Sequence, residues 1–295
     1  MFSKNSPNPR TDAFSPKLSR VVREGAIAIV LFLAAFSSVA TTFAILEILV
    51  QESVGFFQKV PLVEFFTATE WTPLFAEPRY GILPLLSGTL VTSVIALVVA
   101  IPLGTIAAIY LSEFATPRLK EIVKPCLELL AAIPTVIYGY FALLFVTPVL
   151  QKIYPDLPGF NMLSAGLVMG LMIMPLISSI SEDAMRSVPL ELREGSAATG
   201  ATRLQTALRV VFPAALSGVT ASYILGTSRA VGETMIVAIA AGLQPNLTWN
   251  PTQEAATITA YIVQVSLGDL PYGSLEYKTI FVAGLTLVLL TLVLN

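Results

Sequence analysis

The stretch LGTSRAVGETM, residues 225–235, sets Arg229 and Glu233 inside a run of apolar and small residues. On a helix, side chains four apart share one face, so this spacing predicts an ion pair. Ser222 and Gly226 continue the same face, giving a small, polar stripe suited to a wet path or a close neighbouring helix. A guanidinium is a planar donor that matches two oxygens of an anion at once. Burying a charge at the centre of a bilayer costs about 2.5–3.5 kcal/mol on insertion scales, whereas a helical pair of this spacing returns only about 0.2–0.5 kcal/mol in water. The pair therefore has a purpose beyond stability, or is a fixed bridge pinning helices or subunits together.

The setting is a membrane. The chain has 295 residues, of which 55% are hydrophobic and 12% charged, and its mean hydropathy is +0.78. Soluble domains carry about twice that charged fraction. Apolar runs at 26–50, 83–111, 125–150, 162–180, 214–242 and 279–294 predict six spans, since a helix crosses the hydrocarbon core with about 20 residues. Ser38-Val39-Ala40 resembles a small-x-small cleavage site, but the first run continues well past it, which predicts an uncleaved span. Residues 1–24, rich in Ser, Pro and Asn at their start, read as a cytoplasmic disordered tail. The membrane domain then covers 25–295, with an outer loop at 51–82 and a cytoplasmic loop at 181–213. Pro102, Pro134 and Pro175 fall inside spans, as functional kinks or as plain packing features.

Composition removes several kinds of chemistry. The sequence has no histidine, which excludes histidine-dependent hydrolytic triads and histidine-ligated zinc or haem. It has no GxxxxGK[ST] loop for nucleotide phosphates, and its single cysteine, Cys126, leaves no disulfide framework. We expect no catalytic residues, no metal and no cofactor in this chain, and no nucleic-acid partner.

Basic residues set the orientation. Lys4, Arg10, Lys17, Arg20 and Arg23 precede the first span; Arg118, Lys120 and Lys124 follow the second; Arg186, Arg193, Arg203 and Arg209 follow the fourth. Lys59, Arg79 and Lys152 lie on the other side. The asymmetry puts both termini and the 181–213 loop in the cytoplasm. Outside, FFTATEWTPLF at 65–75 is an aromatic cluster for a membrane interface or a partner.

The 181–213 loop reads as two short amphipathic helices hinged at Gly200 and leading into the fifth span at Pro213. A surface helix on the inner leaflet is the alternative, its arginines near anionic lipid headgroups. Glu194, Gly200 and Pro213 have a spacing that resembles the EAA loop of bacterial ABC-importer permeases, with Gly195 and Ser196 where that family usually has two alanines. In that family the loop docks in a groove of the ATPase. FTATEWTP, LLSGTLVTSVIALVVAIPLGTIAAIYLSE, ELLAAIPTVIYGY and SRAVGETM together resemble the phosphate-specific permease of the PstC type over residues 60–295. The resemblance implies an all-α, six-helix membrane protein of the type I importer (MetI-like) fold in the bacterial inner membrane. It also implies a second permease of the PstA type, an ATPase dimer of the PstB type that binds ATP and Mg, and an outer phosphate-binding protein of the PstS type.

On that reading Arg229 meets translocating phosphate, and Glu233 holds Arg229 when the pathway is empty. Glu128, close to the cytoplasmic end of the third span, is a further pathway candidate by default. Thr135 and Tyr138 could donate hydrogen bonds to an anion, although such residues also pack ordinary membrane helices. Ser222 belongs to the polar stripe, while the Gly166–Gly170 spacing points to a close helix contact. The rival readings are an ion-coupled secondary transporter of an anion and a non-transporting membrane assembly subunit.

Overall fold

A computed structural model describes residues 18–295. The part of the expected tail before Leu18 lies outside the described residues, and its remainder is helical, because α1 (Leu18–Phe57) begins well before residue 25. Contacts divide the chain into two units, Met1–Ile48 and Leu49–Asn295. In the first, α1 carries no charge from Gly25 to Leu46; at about 1.5 Å per residue this stretch crosses a hydrocarbon core.

The second unit continues from the end of α1 through α2 (Leu62–Thr67) and α3 (Leu83–Ile109), which a π-helical turn extends over Tyr110–Phe114. The chain then forms α4 (Pro117–Ala132), α5 (Thr135–Gln151), α6 (Met162–Arg186), α7 (Leu190–Ala198), α8 (Arg203–Ala214) and α9 (Leu216–Val231). It ends with α10 (Met235–Ala240), α11 (Ile258–Ser266) and α12 (Leu275–Leu294). Four of the described helices are long and apolar enough to cross a membrane. Counting the bent pairs α4/α5 (88°) and α8/α9 (73°) as single spans gives six.

The helices α3 and α6 form the spine of this unit. Between membrane helices there is no hydrophobic drive, so close van der Waals approach at small residues replaces it. On α3 the buried positions Gly88, Thr92, Ala96, Ala100, Gly104 and Ala108 recur every fourth residue along one stripe. A methyl group on Gly166 would stand 2.7 Å from Ile95 Cβ, and one on Gly170 2.8 Å from the Ala96 carbonyl oxygen. The spacing of these two glycines thus marks a close contact, as expected.

The third span is bent by 88° at Pro134, one of the prolines that the sequence placed inside a span. Pro134 has no amide to donate to the Leu130 carbonyl four residues back. That carbonyl instead accepts from the Ile133 amide at 3.3 Å and from the Tyr138 hydroxyl at 2.8 Å, the latter across the bend. The fifth span differs from the expected 214–242 helix: α9 stops at Val231 and a separate short helix, α10, starts at Met235. Beyond α10 the loop up to α11 caps the start of α6, where Met162 and Leu163 amides donate to Gln253 O and Pro251 O at 3.0 and 2.8 Å. The outer loop is shorter than 51–82, because α1 runs to Phe57, and the cytoplasmic loop is shorter than 181–213, because α6 runs to Arg186.

The outer aromatic segment is split between core and surface. Phe65 and Trp71 are buried with Phe56, Tyr80 and Tyr261, packed edge-to-face with Trp71 and Tyr261 centroids 5.2 Å apart. Phe66, Leu74 and Phe75 are exposed.

Replacing Gly170 by valine should force α3 and α6 apart and cost about 1–3 kcal/mol, read as a lower unfolding temperature in detergent. Gly159→Ala is the control, since nothing lies within 4 Å of a side chain there; equal effects of the two would contradict the account of the spine.

Candidate functional site

Arg229 sits in the last turn of α9 and lines a cavity of about 200 Å³ between α4 and α6. The α4 wall comes from Lys124, Leu127, Glu128 and Ala131, which share one face at helical spacing; α6 adds Met172, Ser179 and Glu182. The guanidinium reaches the Met172 sulfur at 4.0 Å. No carboxylate lies within 4.0 Å of it among the described residues. Thioether sulfur is a weak acceptor, and Arg229 is exposed, so its donors are open to solvent and to a ligand in the cavity.

The expected ion pair with Glu233 is absent, and the reason is local. Because the helix breaks after Val231, the two residues do not share a helical face. The nearly buried Glu233 carboxylate instead accepts from the amides of Met235 (3.0 Å) and Ile236 (3.2 Å). These are orphan donors at the start of α10, where a carboxylate is favoured by both hydrogen bonding and the helix dipole. The Glu233 backbone carbonyl also accepts from Thr259 at 2.6 Å, which ties the break to α11.

Two other candidates are occupied. Ser222 is fully buried and hydrogen-bonds Ser181 of α6 at 2.8 Å, so it joins α9 to α6 and does not face the cavity. Tyr138 spends its hydroxyl on the α4/α5 bend. Thr135 is half-buried at the first position of α5, just beyond that bend, and does not line the Arg229 cavity. Glu128, by contrast, is brought onto the same cavity as Arg229.

The cytoplasmic loop forms the two expected helices. Gly200 separates them with φ +84°, a left-handed conformation that side-chain-bearing residues rarely adopt. Thr202 and Gln205 then form a reciprocal capping box at the start of α8. The Ser196 and Thr206 hydroxyls, 2.9 Å apart, clasp α7 to α8. Glu194 is exposed on α7, and Pro213 is exposed in the last turn of α8 beside the 73° bend. A methyl on Gly195 would meet nothing within 4 Å, whereas Gly200 has the same open space but needs glycine for its backbone conformation.

Sequence reasoning missed what anchors α7. Arg193 pairs with Glu113 at the end of the α3 span (3.0 Å) and also donates to the Val188 and Met185 carbonyls at the end of α6. It also missed the contact of Lys124 with Glu182. In both cases the signal was a charged residue closing an apolar run, which reads as an ordinary boundary until the folded chain pairs it.

Comparison with known proteins agrees with this architecture. The family described as binding-protein-dependent transport system inner membrane component matches residues 100–295. The probable ABC transporter permease protein YqgH of Bacillus subtilis is 37% identical over 229 residues, covering 78% of this chain and 74% of that protein. The phosphate transport system permease protein PstC 1 of Mycobacterium tuberculosis is 35% identical over 271 residues, 79% of each chain. Among solved structures, a bacterial alginate ABC transporter in complex with an alginate pentasaccharide-bound periplasmic protein superposes with a TM-score of 0.62. That likeness has 18% identity over 95% of this chain and 94% of the other. The MetNI methionine ABC transporter in inward-facing form gives 0.52 at 21% identity, over 72% and 89%. At these identities the two structures speak to the fold.

If Glu233 acts as a cap, Glu233→Gln keeps an acceptor oxygen and should leave thermal stability nearly unchanged. Glu233→Ala should cost about 0.5–2 kcal/mol. Calorimetry of the purified subunit in detergent checks this, and equal losses for the two variants would show that the charge matters more than the cap.

Proposed function

From the premise that this chain belongs to the family of binding-protein-dependent transport system inner membrane components, we propose that Arg229 contacts inorganic phosphate on its way into the cytoplasm. Membership makes the chain a multi-pass permease subunit of an ABC importer, whose ATPase is a separate subunit. It therefore sets aside a secondary transporter and a non-transporting assembly subunit. The phosphate assignment is supported by several PstC relatives at 32–36% identity. The chemistry fits: phosphate presents several acceptor oxygens, and an exposed guanidinium with no carboxylate within 4.0 Å among the described residues offers paired donors.

The observation that carries the reading is this unpaired guanidinium on a cavity beside a cytoplasmic lever. In the proposed assembly, a PstA-type permease completes the pathway and a PstS-type protein delivers phosphate from outside. A PstB-type ATPase dimer binds ATP and Mg and docks on α7 and α8 around Glu194 and Gly200, with the basic loops on the cytoplasmic side. Arg193 fixes α7 to the ends of α3 and α6, and α8 leads past Pro213 into α9, which bears Arg229. Movement of the lever thus reaches the cavity through two rigid routes.

The test is ATP-driven uptake of labelled phosphate into vesicles holding the assembled complex. Arg229→Ala should lower uptake about 10²-fold or more, the value of two lost charge-assisted hydrogen bonds, with assembly intact. Normal uptake would end the reading. Arg193→Ala should uncouple the machine: ATP hydrolysis continues while uptake per ATP falls several-fold. A parallel loss of both activities would instead mark Arg193 as purely structural.

A further inference from the structure

The cytoplasmic side of the Arg229 cavity ends in a second set of charges. Lys124 of α4 contacts Glu182 of α6 and lies 3.2 Å from Asp183. Glu182 is fully buried, and its other oxygen is 3.6 Å from Arg186. Met172, which touches Arg229, and Glu182 lie ten residues apart on α6, a rise of about 15 Å. The two cations Arg229 and Lys124 therefore stand at opposite ends of one cavity.

Lys124 also lines a second space of about 430 Å³, a cleft it shares with Lys120 and Arg186. Lys124 and Glu128 are the side chains common to both spaces. They form the partition between the Arg229 cavity and the cleft on the side of the basic loops.

An ion pair with one buried member, as here with Lys124 28% and Glu182 0% exposed, is a poor source of stability, because desolvating the carboxylate offsets the attraction. Its use here follows from a requirement of conduction: a permeating ion needs more than one site, each weak enough to leave. A phosphate held by Arg229 alone has no next site to move to. We propose that Lys124 is a second phosphate-contact residue on the cytoplasmic side, kept from the anion by Glu182 until the pathway opens inward. The arriving phosphate replaces Glu182 on the Lys124 ammonium, and Arg186 retains the released carboxylate. Glu128 stands between the two cations and raises the barrier separating the two sites. Arg186 is the last residue of α6, just ahead of α7, so the lever reaches this pair directly.

The proposal rests on the Arg229 reading, and two measurements separate them. If Arg229→Ala leaves uptake normal, both fall; if it abolishes uptake, Lys124 is judged on its own variants. Lys124→Gln alone would strand the buried Glu182 charge, so the test uses the double variant Lys124→Gln/Glu182→Gln in the assembled complex with phosphate and ATP. We expect ATP hydrolysis to persist and phosphate uptake to fall about tenfold or more, while Lys124→Arg keeps uptake near normal. Near-normal uptake by the double variant would show that the pair is only a structural clasp and overturn the proposal. Glu182→Gln alone provides a second readout should the double variant assemble poorly. Freed from its competitor, Lys124 should hold phosphate longer, lowering both kcat and the KM for phosphate. Unchanged values of both would also overturn it.

Discussion

The Glu233 side chain is committed to the two amides that open α10, across a helix break from Arg229. That commitment follows from the break after Val231, which leaves backbone donors with no helical acceptor in a region where water is scarce. With Glu233 engaged, Arg229 has no compensating charge among the described residues and faces a cavity between α4 and α6. Arg229 is exposed, so its guanidinium is reachable by water and by an anion entering the cavity.

The scaffold keeps this arrangement rigid by small residues and local hydrogen bonds. Glycines at 166 and 170 bring α6 against α3, and Ser181 with Ser222 joins α6 to α9. The bend at Pro134 turns α4 so that one of its faces closes the cavity, with Tyr138 adding a second donor to the Leu130 carbonyl beside the Ile133 amide. Each device lies among the long apolar helices, whereas the hinge at Gly200 and the clasp of Arg193 on Glu113 lie at or beyond their ends. A rigid body with a jointed arm is what a motor in another subunit can move.

Much of this was legible in the sequence. Long uncharged runs are strong signals, so the helical class and the membrane setting followed from composition. Gly200 announced a corner because a left-handed turn is what glycine tolerates. The Glu194–Gly200–Pro213 spacing located the two short helices and the corner between them without help from packing. What failed was the inference from spacing alone that Arg229 and Glu233 pair. Spacing assumes an unbroken helix, and Gly232 with the β-branched Thr234 made a break possible without announcing it. Ser222 and Tyr138 were misassigned for a related reason: a hydroxyl in a membrane helix points to a path or to a repair, and only its partner tells which. The pairs of Lys124 with Glu182 and Arg193 with Glu113 were hidden because their members are 58 and 80 residues apart.

The central claim is that Arg229 is kept unpaired for an anion. The most direct measurement is a cryo-electron microscopy structure of the assembled importer, trapped during turnover with phosphate. The account predicts phosphate oxygens about 2.7–2.9 Å from the Arg229 guanidinium, within the cavity between α4 and α6, and Glu233 still on the α10 amides. Density for phosphate on another route, with Arg229 bound to a carboxylate in every state, would contradict it.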